Sequence, residues 1–162
     1  MKNLLITLTC LTLLASCNNK SENRNNTNLK NTETMEKLAK QEIETLLITY
    51  KETLNTSNAE KATSLYTKDG IFMPSGAPTA VGLEKIRSAY DFVFSQIQLN
   101  IEFYIEEITV ENTFAYAVTS SKGSTLIHAT GDTIPEENRE LFVFEKENHS
   151  WKIARYMFNK TK

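Results

Sequence analysis

Histidine and cysteine, which often mark metal centres and catalytic nucleophiles, are scarce in this chain of 162 residues. It has two histidines, His128 and His149, and two cysteines, Cys10 and Cys17. The sequence contains no HExxH motif and no closely spaced cluster of His, Asp and Glu. It also has no GxSxG nucleophile motif and no glycine-rich phosphate loop. We therefore predict no metal and no other cofactor, which leaves carboxylates for proton transfer and aromatic side chains for binding.

Cys17 lies in a context that predicts lipidation. Lys2 precedes an apolar stretch over 4–14, which is shorter than the roughly 20 residues of a membrane-spanning helix and typical of a secretory signal peptide. Residues 14–17, Leu-Ala-Ser-Cys, resemble a bacterial lipobox, and this resemblance implies cleavage after a signal peptide of residues 1–16. The alternative is an ordinary signal peptide followed by an unrelated cysteine. We expect an exported protein of the bacterial cell envelope, bound to the lipid bilayer through Cys17.

Residues 17–33 predict a flexible tether between the anchor and a folded domain. Seven of the fourteen residues 18–31 are Asn, and Leu29 is the one large apolar side chain among them. Such a segment buries too little surface to offset its chain entropy. Residues 34–162 then form one domain, which contains no cysteine and depends on packing for its stability.

The overall charge argues against a nucleic-acid partner. Lys and Arg number 18 against 20 Asp and Glu, for a net charge of −2. A chain without a basic excess has little with which to neutralise phosphates. The hydrophobic content of 40% also excludes a wholly disordered protein.

Helical periodicity dominates the first half of the domain, and strand periodicity dominates the second. Apolar residues at three- and four-residue spacings predict a helix from Met35 that ends at the segment 55–58 (Asn-Thr-Ser-Asn), and Asn58 is a suitable N-cap for the next helix. The further predicted elements are a short helix over 59–66, a turn over 67–70, a strand over 71–73, a helix over 83–96, strands over 99–110, 114–119, 139–146 and 151–159, and a polar loop over 131–138. A continuation of the strand from Phe114 through 124–128, after an interruption near Gly123, is an open alternative. Helices followed by strands indicate an α+β fold.

Two details of the strand pattern have consequences for shape and assembly. The alternation slips by one residue at Glu106 and Glu107, which predicts a β-bulge that bends the strand. In the last hairpin, residues 141–144 carry large apolar side chains on both faces, so both faces must be covered. Helices can cover one face, and the other needs a second subunit or more of the same chain. We expect a second copy of the chain, as a homodimer.

Four segments in this order and spacing resemble the SnoaL-like branch of the nuclear-transport-factor-2-like superfamily. They are residues 65–74 (LYTKDGIFMP), 81–86 (VGLEKI), 139–144 (RELFVF) and 151–159 (WKIARYMFN). The resemblance implies a cone-shaped α+β fold, with three N-terminal helices against a strongly curved antiparallel sheet of four to six strands. The open end of such a cone is a pocket. Members include steroid isomerases, polyketide cyclases, dehydratases and non-enzymatic binding or assembly modules, and dimers are common.

The resemblance also implies a type of chemistry, in which a pocket carboxylate with a raised pKa acts as general base. The candidate bases are Asp69, Asp91, Glu102, Asp132 and Glu140. Each has a structural alternative, as a turn, helix-surface, loop or ion-pair residue. A steroid-isomerase arrangement of one Tyr and two Asp does not map onto matching positions, so isomerase activity does not follow from the resemblance.

Aromatic and amphipathic residues on the predicted inward faces are the candidate ligand-binding residues. They are Tyr50, Tyr66, Met73, Tyr90, Phe94, Phe103, Tyr116, Arg155 and Asn159. Arg155 shares a strand phase with Ile153 and Met157, and if that phase faces inward, its guanidinium needs an anion. That anion could be Glu102, Glu140 or a ligand carboxylate. The alternative interpretation is that the aromatic residues are core and that Arg155 forms a structural salt bridge.

Three functions fit these features. The first is a membrane-anchored module whose cone binds a small, largely apolar molecule. The second is an enzyme of the isomerase, cyclase or dehydratase type, with a pocket carboxylate as base. The third is an assembly module without a ligand. We favour the first, because no catalytic arrangement is recognisable whereas the predicted interior is rich in aromatic residues.

Overall fold

The computed structural model of the protein describes residues 19–161, so the predicted signal peptide and Cys17 lie outside the described residues. Within that range the chain forms three helices and six strands. In chain order they are α1 (Asn19–Asn55), α2 (Ala59–Ser64), β1 (Tyr66–Met73), β2 (Ala80–Val81), α3 (Leu83–Gln96), β3 (Ile97–Glu111), β4 (Phe114–Ile127), β5 (Thr133–Glu147) and β6 (Ser150–Lys160). The chain divides between Met35 and Glu36 into two units, and the sheet belongs to the second. No helix of the described part is long and apolar enough to cross a membrane.

Helix α1 ends at Asn55, within the segment 55–58 that was predicted to end it, but it begins at Asn19 rather than near Met35. The irregular backbone expected over 17–33 is therefore helical from Asn19 onward. A helix that has already formed gains one hydrogen bond for each residue added, and no Gly or Pro interrupts residues 19–35. In the second unit, α1 buries the apolar stripe that contains Ile43 and Leu47, whereas Leu38 of the predicted stripe is exposed.

The two shorter helices were predicted closely. The Asn58 side chain caps α2 by accepting a hydrogen bond from the Lys61 backbone N–H at 2.9 Å. Helix α2 ends at Ser64, two residues before the predicted end. Helix α3 covers the predicted range 83–96 and buries Ile86, Tyr90 and Phe94 on one face.

Residues 67–70 were predicted as a turn, but they belong to strand β1. Tyr66 pairs with Ile153 of β6, and Ile71 pairs with Arg155, so β1 uses more residues than β6 between these pairs. The polar residues 67–70 thus form an irregularity within the strand, where a bulge absorbs the extra length. The short strand predicted over 71–73 is the regular end of β1.

The six strands form one sheet in the order β2-β1-β6-β5-β4-β3. Four of its neighbouring pairs are antiparallel, whereas β1 and β6 run parallel. The fully antiparallel sheet expected from the resemblance is therefore wrong, and the sheet is mixed. Strand β1 precedes α3 in the chain, but in the sheet it lies beside β6, the last strand of the chain. The two strands run in the same direction.

The polar loop predicted over 131–138 is also wrong, because β5 begins at Thr133 and pairs with β4 from there. Pro135 and the polar residues around it suggested a loop. However, β6 pairs with β5 only from Asn138 onward, so Pro135 lies where one side of β5 is unpaired. A proline is tolerated there because its missing N–H removes no ladder hydrogen bond.

Two bulges set the curvature and side-chain phase of the sheet. The predicted bulge in β3 is confirmed, since the register with β4 shifts between Ile105 and Glu107. A second bulge in β6 was not predicted. There Ile153 pairs with Phe144, but Arg155 pairs with Val143, which leaves Ala154 as an extra residue. This extra residue reverses the inward phase, so Tyr156 faces the core and Arg155 faces the opposite side.

An aromatic core lies between the inner sheet face and the helices. The rings of Phe142 and Tyr156 stack with their centroids 4.2 Å apart. Tyr50 of α1 meets both rings edge-on, at 5.6 and 5.4 Å. These rings close one end of the space under the sheet, and the other end remains open as a cavity.

Candidate functional site

A cavity of about 190 Å³ lies between α1, α3 and the inner face of the sheet. Its walls are largely apolar, and its polar lining residues come mainly from β5. The apolar and aromatic lining residues are Tyr50, Leu54, Phe72, Pro74, Ala77, Tyr90, Val93, Phe94, Ile97, Leu99, Ile101, Tyr156 and Phe158. The polar lining residues are Ser75, Glu136, Asn138, Glu140 and Lys160. A cavity with apolar walls and a few convergent polar groups is typical of small-molecule binding sites.

The polar end of the cavity follows from the alternation of β5. Glu136, Asn138 and Glu140 are buried at every second position, and the same phase continues into Phe142 and Phe144. Because successive side chains of a strand point to opposite faces, all five occupy the inner face. One regular strand thus places three polar groups beside an aromatic core.

Glu140 is the most deeply placed acid of the cavity, with 5% of its surface exposed. Its Oε2 atom accepts a hydrogen bond from the Thr119 hydroxyl at 2.5 Å, and its Oε1 atom accepts one from the Tyr156 hydroxyl at 3.4 Å. Burial raises the pKa of this carboxyl group, while hydrogen bonds from Thr119, Ser121 and Tyr156 partly oppose that rise. Burial prevails because an ionised carboxylate loses more hydration than these donors replace.

Glu136 and Asn138 form a second polar group nearer the start of β5. Glu136 accepts hydrogen bonds from the Thr125 hydroxyl at 2.9 Å, from Lys160 Nζ at 3.2 Å and from Asn138 Nδ2 at 3.0 Å. Asn138 Nδ2 also donates to the Ser121 hydroxyl at 3.2 Å. The Asn138 Oδ1 atom, in contrast, is buried and has no hydrogen-bond partner among the described residues. A residue that lines the cavity therefore carries an acceptor that the described part of the chain does not satisfy.

Tyrosine hydroxyls form a buried chain beside the cavity. The hydroxyls of Tyr50 and Tyr90 are 2.5 Å apart, and those of Tyr66 and Tyr90 are 2.8 Å apart. Burial raises the pKa of all three, and that of Tyr156, well above the ordinary value of 10.0. These phenols stay protonated at neutral pH, so they can donate and accept hydrogen bonds but do not act as bases.

The predicted ligand-binding residues divide into three groups. Tyr50, Tyr90 and Phe94 line the cavity, as expected from their inward faces. Tyr66 and Phe103 lie behind the wall. Tyr66 reaches Tyr90 through its hydroxyl, and the Phe103 ring packs with its centroid 6.0 Å from that of Tyr50.

The remaining four predicted residues lie outside the cavity lining. Tyr116 is 37% exposed, and its hydroxyl donates to Glu107. The inward phase of β4 is taken by small residues such as Ala115 and Ala117, so the prediction that Tyr116 faces inward is wrong. Met73 pairs with the exposed Met157 and is also absent from the lining.

Arg155 and Asn159 are displaced by the bulge at Ala154. Arg155 donates from Nη1 to the Ala154 carbonyl at 2.6 Å. The inward phase had suggested Glu102, Glu140 or a ligand carboxylate as its partner. Asn159 lines a shallow depression that also includes Arg139 and Leu141. The inward phase predicted for both residues is wrong, because it assumed a β6 without a bulge.

Of the five candidate bases, Glu140 lies in the cavity. Glu102 instead pairs with Lys51 at 2.7 Å, and Asp91 pairs with Arg87 at 3.1 Å. Asp69 and Asp132 are exposed. The described residues contain no group of three or more His, Cys, Asp or Glu side chains that could hold a metal ion.

The sequence analysis missed Glu136, Asn138 and Lys160 of the polar end and the wall residues Tyr156 and Phe158. A usable signal was present at Glu136 and Asn138. Extending the inward phase of Phe142 and Phe144 backward in steps of two reaches both residues. Because residues 131–138 were predicted to form a loop, the alternation was not extended to them.

Comparison with known proteins identifies the family. Residues 43–158 match the model of the SnoaL-like domain, and the chain belongs to that family. A ketosteroid isomerase-like protein from Erwinia carotovora atroseptica SCRI1043 is 30% identical, with a TM-score of 0.71, over 74% of this chain and 94% of that chain. A search of curated proteins gave no match.

Two more distant structures share the fold. One is a nuclear transport factor 2-like superfamily protein from Salmonella enterica serovar Typhimurium LT2, with 17% identity, a TM-score of 0.70 and coverage of 78% of this chain and 93% of that chain. The other is an NTF2-like protein with a cystatin-like fold from Novosphingobium aromaticivorans, with 19% identity, a TM-score of 0.65 and coverage of 84% and 90%. The expected α+β, cone-shaped NTF2-like fold is thus confirmed.

Proposed function

We propose that this protein binds a small, largely apolar molecule in the cavity beneath its sheet. The observation that carries the proposal is the cavity itself, with a volume of about 190 Å³, aromatic and aliphatic walls and polar groups at one end. A dry apolar cavity of about 150 Å³ is large enough to hold benzene. This cavity therefore suits a molecule of the size of one ring with a short tail.

Native mass spectrometry of the purified full chain tests this proposal. We expect a fraction of the protein to carry additional small-molecule mass. Leu99→Trp, which places a large ring in the cavity, should remove that mass, because Leu99 lines the cavity. Leu126→Trp is the matched control, since Leu126 is exposed on the neighbouring strand. Retention of the mass by Leu99→Trp would contradict binding in this cavity.

We further propose that Cys17 carries lipid and anchors the protein in the cell envelope. The support is the sequence at 14–17, Leu-Ala-Ser-Cys, directly after the apolar stretch of the signal peptide. Cys17→Ser should abolish incorporation of labelled fatty acid, whereas Cys10→Ser should not. Equal labelling of wild type and Cys17→Ser would refute the anchor.

A second candidate function is proton transfer, with Glu140 as general base. Two observations favour it: burial raises the pKa of Glu140, and the Tyr156 hydroxyl lies 3.4 Å from its Oε1 atom. A base with a pKa nearer to neutrality takes a proton and releases it again more effectively. The Erwinia relative is named ketosteroid isomerase-like, which agrees with this chemistry.

Titration of the Glu140 carboxyl carbon by NMR tests the enzyme proposal before a substrate is known. We expect Glu140 to titrate above the ordinary value of 4.5, because its charge is poorly hydrated. Glu145 lies on the same strand and serves as the control. If Glu140 titrates at or below the ordinary value, it is no better a base than a surface carboxylate, and the proposal fails.

The outer sheet face supports a homodimer as the protein's assembly state. Tyr104, Phe114, Tyr116, Leu141 and Met157 expose large apolar surfaces there. Arg139 and Arg155 lie on the same face as Glu107, so two copies related by a twofold axis could pair opposite charges. Leu141→Lys should convert a dimer to a monomer in native mass spectra, and Leu83→Lys, at the start of α3, is the control. A wild-type monomer would exclude this assembly.

A further inference from the structure

The polar end of the cavity includes Asn138, which is 6% exposed and whose buried Oδ1 atom has no hydrogen-bond partner among the described residues. Glu140 lines the same end and accepts hydrogen bonds from Thr119, Ser121 and Tyr156. The bond from Tyr156 to its Oε1 atom, at 3.4 Å, is at the long limit for a hydrogen bond. A buried acceptor without a good donor is unfavourable, and a bound molecule that supplies donors relieves that cost.

The charges of the lining residues also favour a ligand that supplies hydrogen-bond donors. Glu136 and Glu140 both line the cavity, whereas Lys160 is the one Lys or Arg among the lining residues. The Lys160 ammonium group bonds to Glu136, and its side chain is half exposed at the rim. The hydrogen-bond donors of Glu140 are neutral hydroxyls. The deep end of the cavity therefore lacks a positive charge to match its carboxylate.

We infer that the cavity selects a compact molecule with an apolar body and a protonated amine at one end, the amine bonding to Asn138 and Glu140. This inference rests on the proposed binding function and names its ligand class. An ammonium group has three donors and no acceptor, which matches a pocket end rich in acceptors. A ligand carboxylate would instead meet two acidic side chains, and an alcohol would supply one donor without charge.

The apolar walls suit the body of such a molecule. The rings of Phe72 and Tyr90 stack with their centroids 5.0 Å apart, and those of Phe72 and Tyr156 are 5.5 Å apart. These three rings line the cavity together with the aliphatic side chains of β3. A planar ring or short alkyl body can pack against them while the amine reaches β5.

Three probes with the same body test the inference: 2-phenylethylamine, 2-phenylethanol and phenylacetate. Calorimetric titration of the full chain in lipid nanodiscs at neutral pH should show the amine binding at least about tenfold more tightly than the alcohol. Phenylacetate should bind most weakly. If the alcohol or the acid binds as tightly as the amine, the inference is overturned and small-molecule binding stands. If none of the three binds, the inference is overturned, whereas the proposed binding function is decided separately by the bound mass in native mass spectra.

Substitutions at the polar end test whether the preference for amine over alcohol originates there. Glu140→Gln keeps the shape of the side chain but removes its charge, and it should reduce the preference for amine over alcohol by about tenfold. Asn138→Leu should weaken the binding of both donor-bearing probes. Glu145→Gln, on the same strand but outside the cavity lining, should leave the preference unchanged. An unaltered preference in Glu140→Gln would overturn the inference, and the wild-type probe series decides the matter even if a variant does not fold.

Discussion

Strand β5 builds two different regions of the inner sheet face. Its first half presents Glu136, Asn138 and Glu140 to the cavity, whereas its second half presents Phe142 and Phe144 to the aromatic core. All five residues share one inward phase, and both regions are buried. The difference lies in what faces them: tightly stacked rings in the second half, and open space in the first.

This comparison separates the stability of the domain from its capacity to bind. The aromatic half gains free energy from close packing and leaves no room for a ligand. The polar half gains less, because burying acids and an unpaired carbonyl is costly, but it keeps a cavity whose polar groups can meet a ligand. Substitutions in the two halves should therefore differ in their effects on stability.

The largest effect is expected in the aromatic half, from Phe142→Ala. Phe142 is fully buried and stacks on Tyr156 at 4.2 Å. Its removal should lower the free energy of unfolding by about 3–5 kcal/mol, measured by urea denaturation. Leu126→Ala, at an exposed position on the neighbouring strand β4, should cost less than about 1 kcal/mol. Equal costs at the two positions would contradict the division between core and surface.

The next largest effect is expected beside the polar half, at Gly123 of β4. Gly123 pairs with Glu136 on one side and with Ile101 on the other. A Cβ atom at this position would overlap the carbonyl oxygen of Asn100, a backbone atom that cannot move freely. Gly123→Ala should destabilise the protein by about 1–3 kcal/mol in the same assay, and Ser124→Ala is the control. A neutral Gly123→Ala would show that β3 and β4 can separate at the cavity.

A smaller, pH-dependent effect is expected at Glu140. Its pKa is raised above the ordinary value of 4.5, so over a range of pH above that value the folded state holds a proton that the unfolded state has lost. This stabilisation is complete below the unfolded pKa and is lost as pH rises through the folded pKa. Denaturation from about pH 4 to about pH 8 should show Glu140→Gln gaining stability relative to wild type. A constant difference would exclude the raised pKa, and Glu145→Gln provides the baseline.

The smallest effect is expected at the boundary between the two halves, from Tyr50→Phe. This change removes the hydroxyl that bonds to Tyr90 but keeps the ring that packs on Phe142. Tyr90 retains its bond to Tyr66, so no hydroxyl of this pair is left unpartnered. We expect a loss of about 1 kcal/mol in thermal or urea unfolding. A loss as large as that of Phe142→Ala would place Tyr50 in a cooperative network instead.

The elements of the fold were largely predictable from the sequence. Helix α3, the end of α1 and the bulge at Glu106–Glu107 were all predicted from periodicity and capping. Their signals are local, since they depend on which residues alternate along one segment. Residues 133–138 were predicted wrongly because a polar stretch of strand that pairs mainly on one side has the same composition as a loop.

The site was less predictable than the fold. Tyr50, Tyr90 and Phe94 were predicted because they lie on helices with a clear apolar face. Tyr116 and Arg155 were misplaced, since strand phase depends on pairing partners and on bulges. Because Ala154 is an extra residue in β6, Tyr156 lies in the cavity wall and Arg155 lies on the opposite face.

By itself, the sequence indicated the family, through four segments that resemble SnoaL-like domains. It also predicted α3, the region where α1 ends and the bulge in β3, because hydrophobic periodicity and capping residues act over short stretches of chain. Only the tertiary structure decided which carboxylate is buried, that β1 joins β6 in parallel and that Asn138 has a free acceptor. These properties depend on neighbours distant in the chain. Register, burial and unpaired polar atoms arise when strands and helices meet, so no local pattern of residues encodes them.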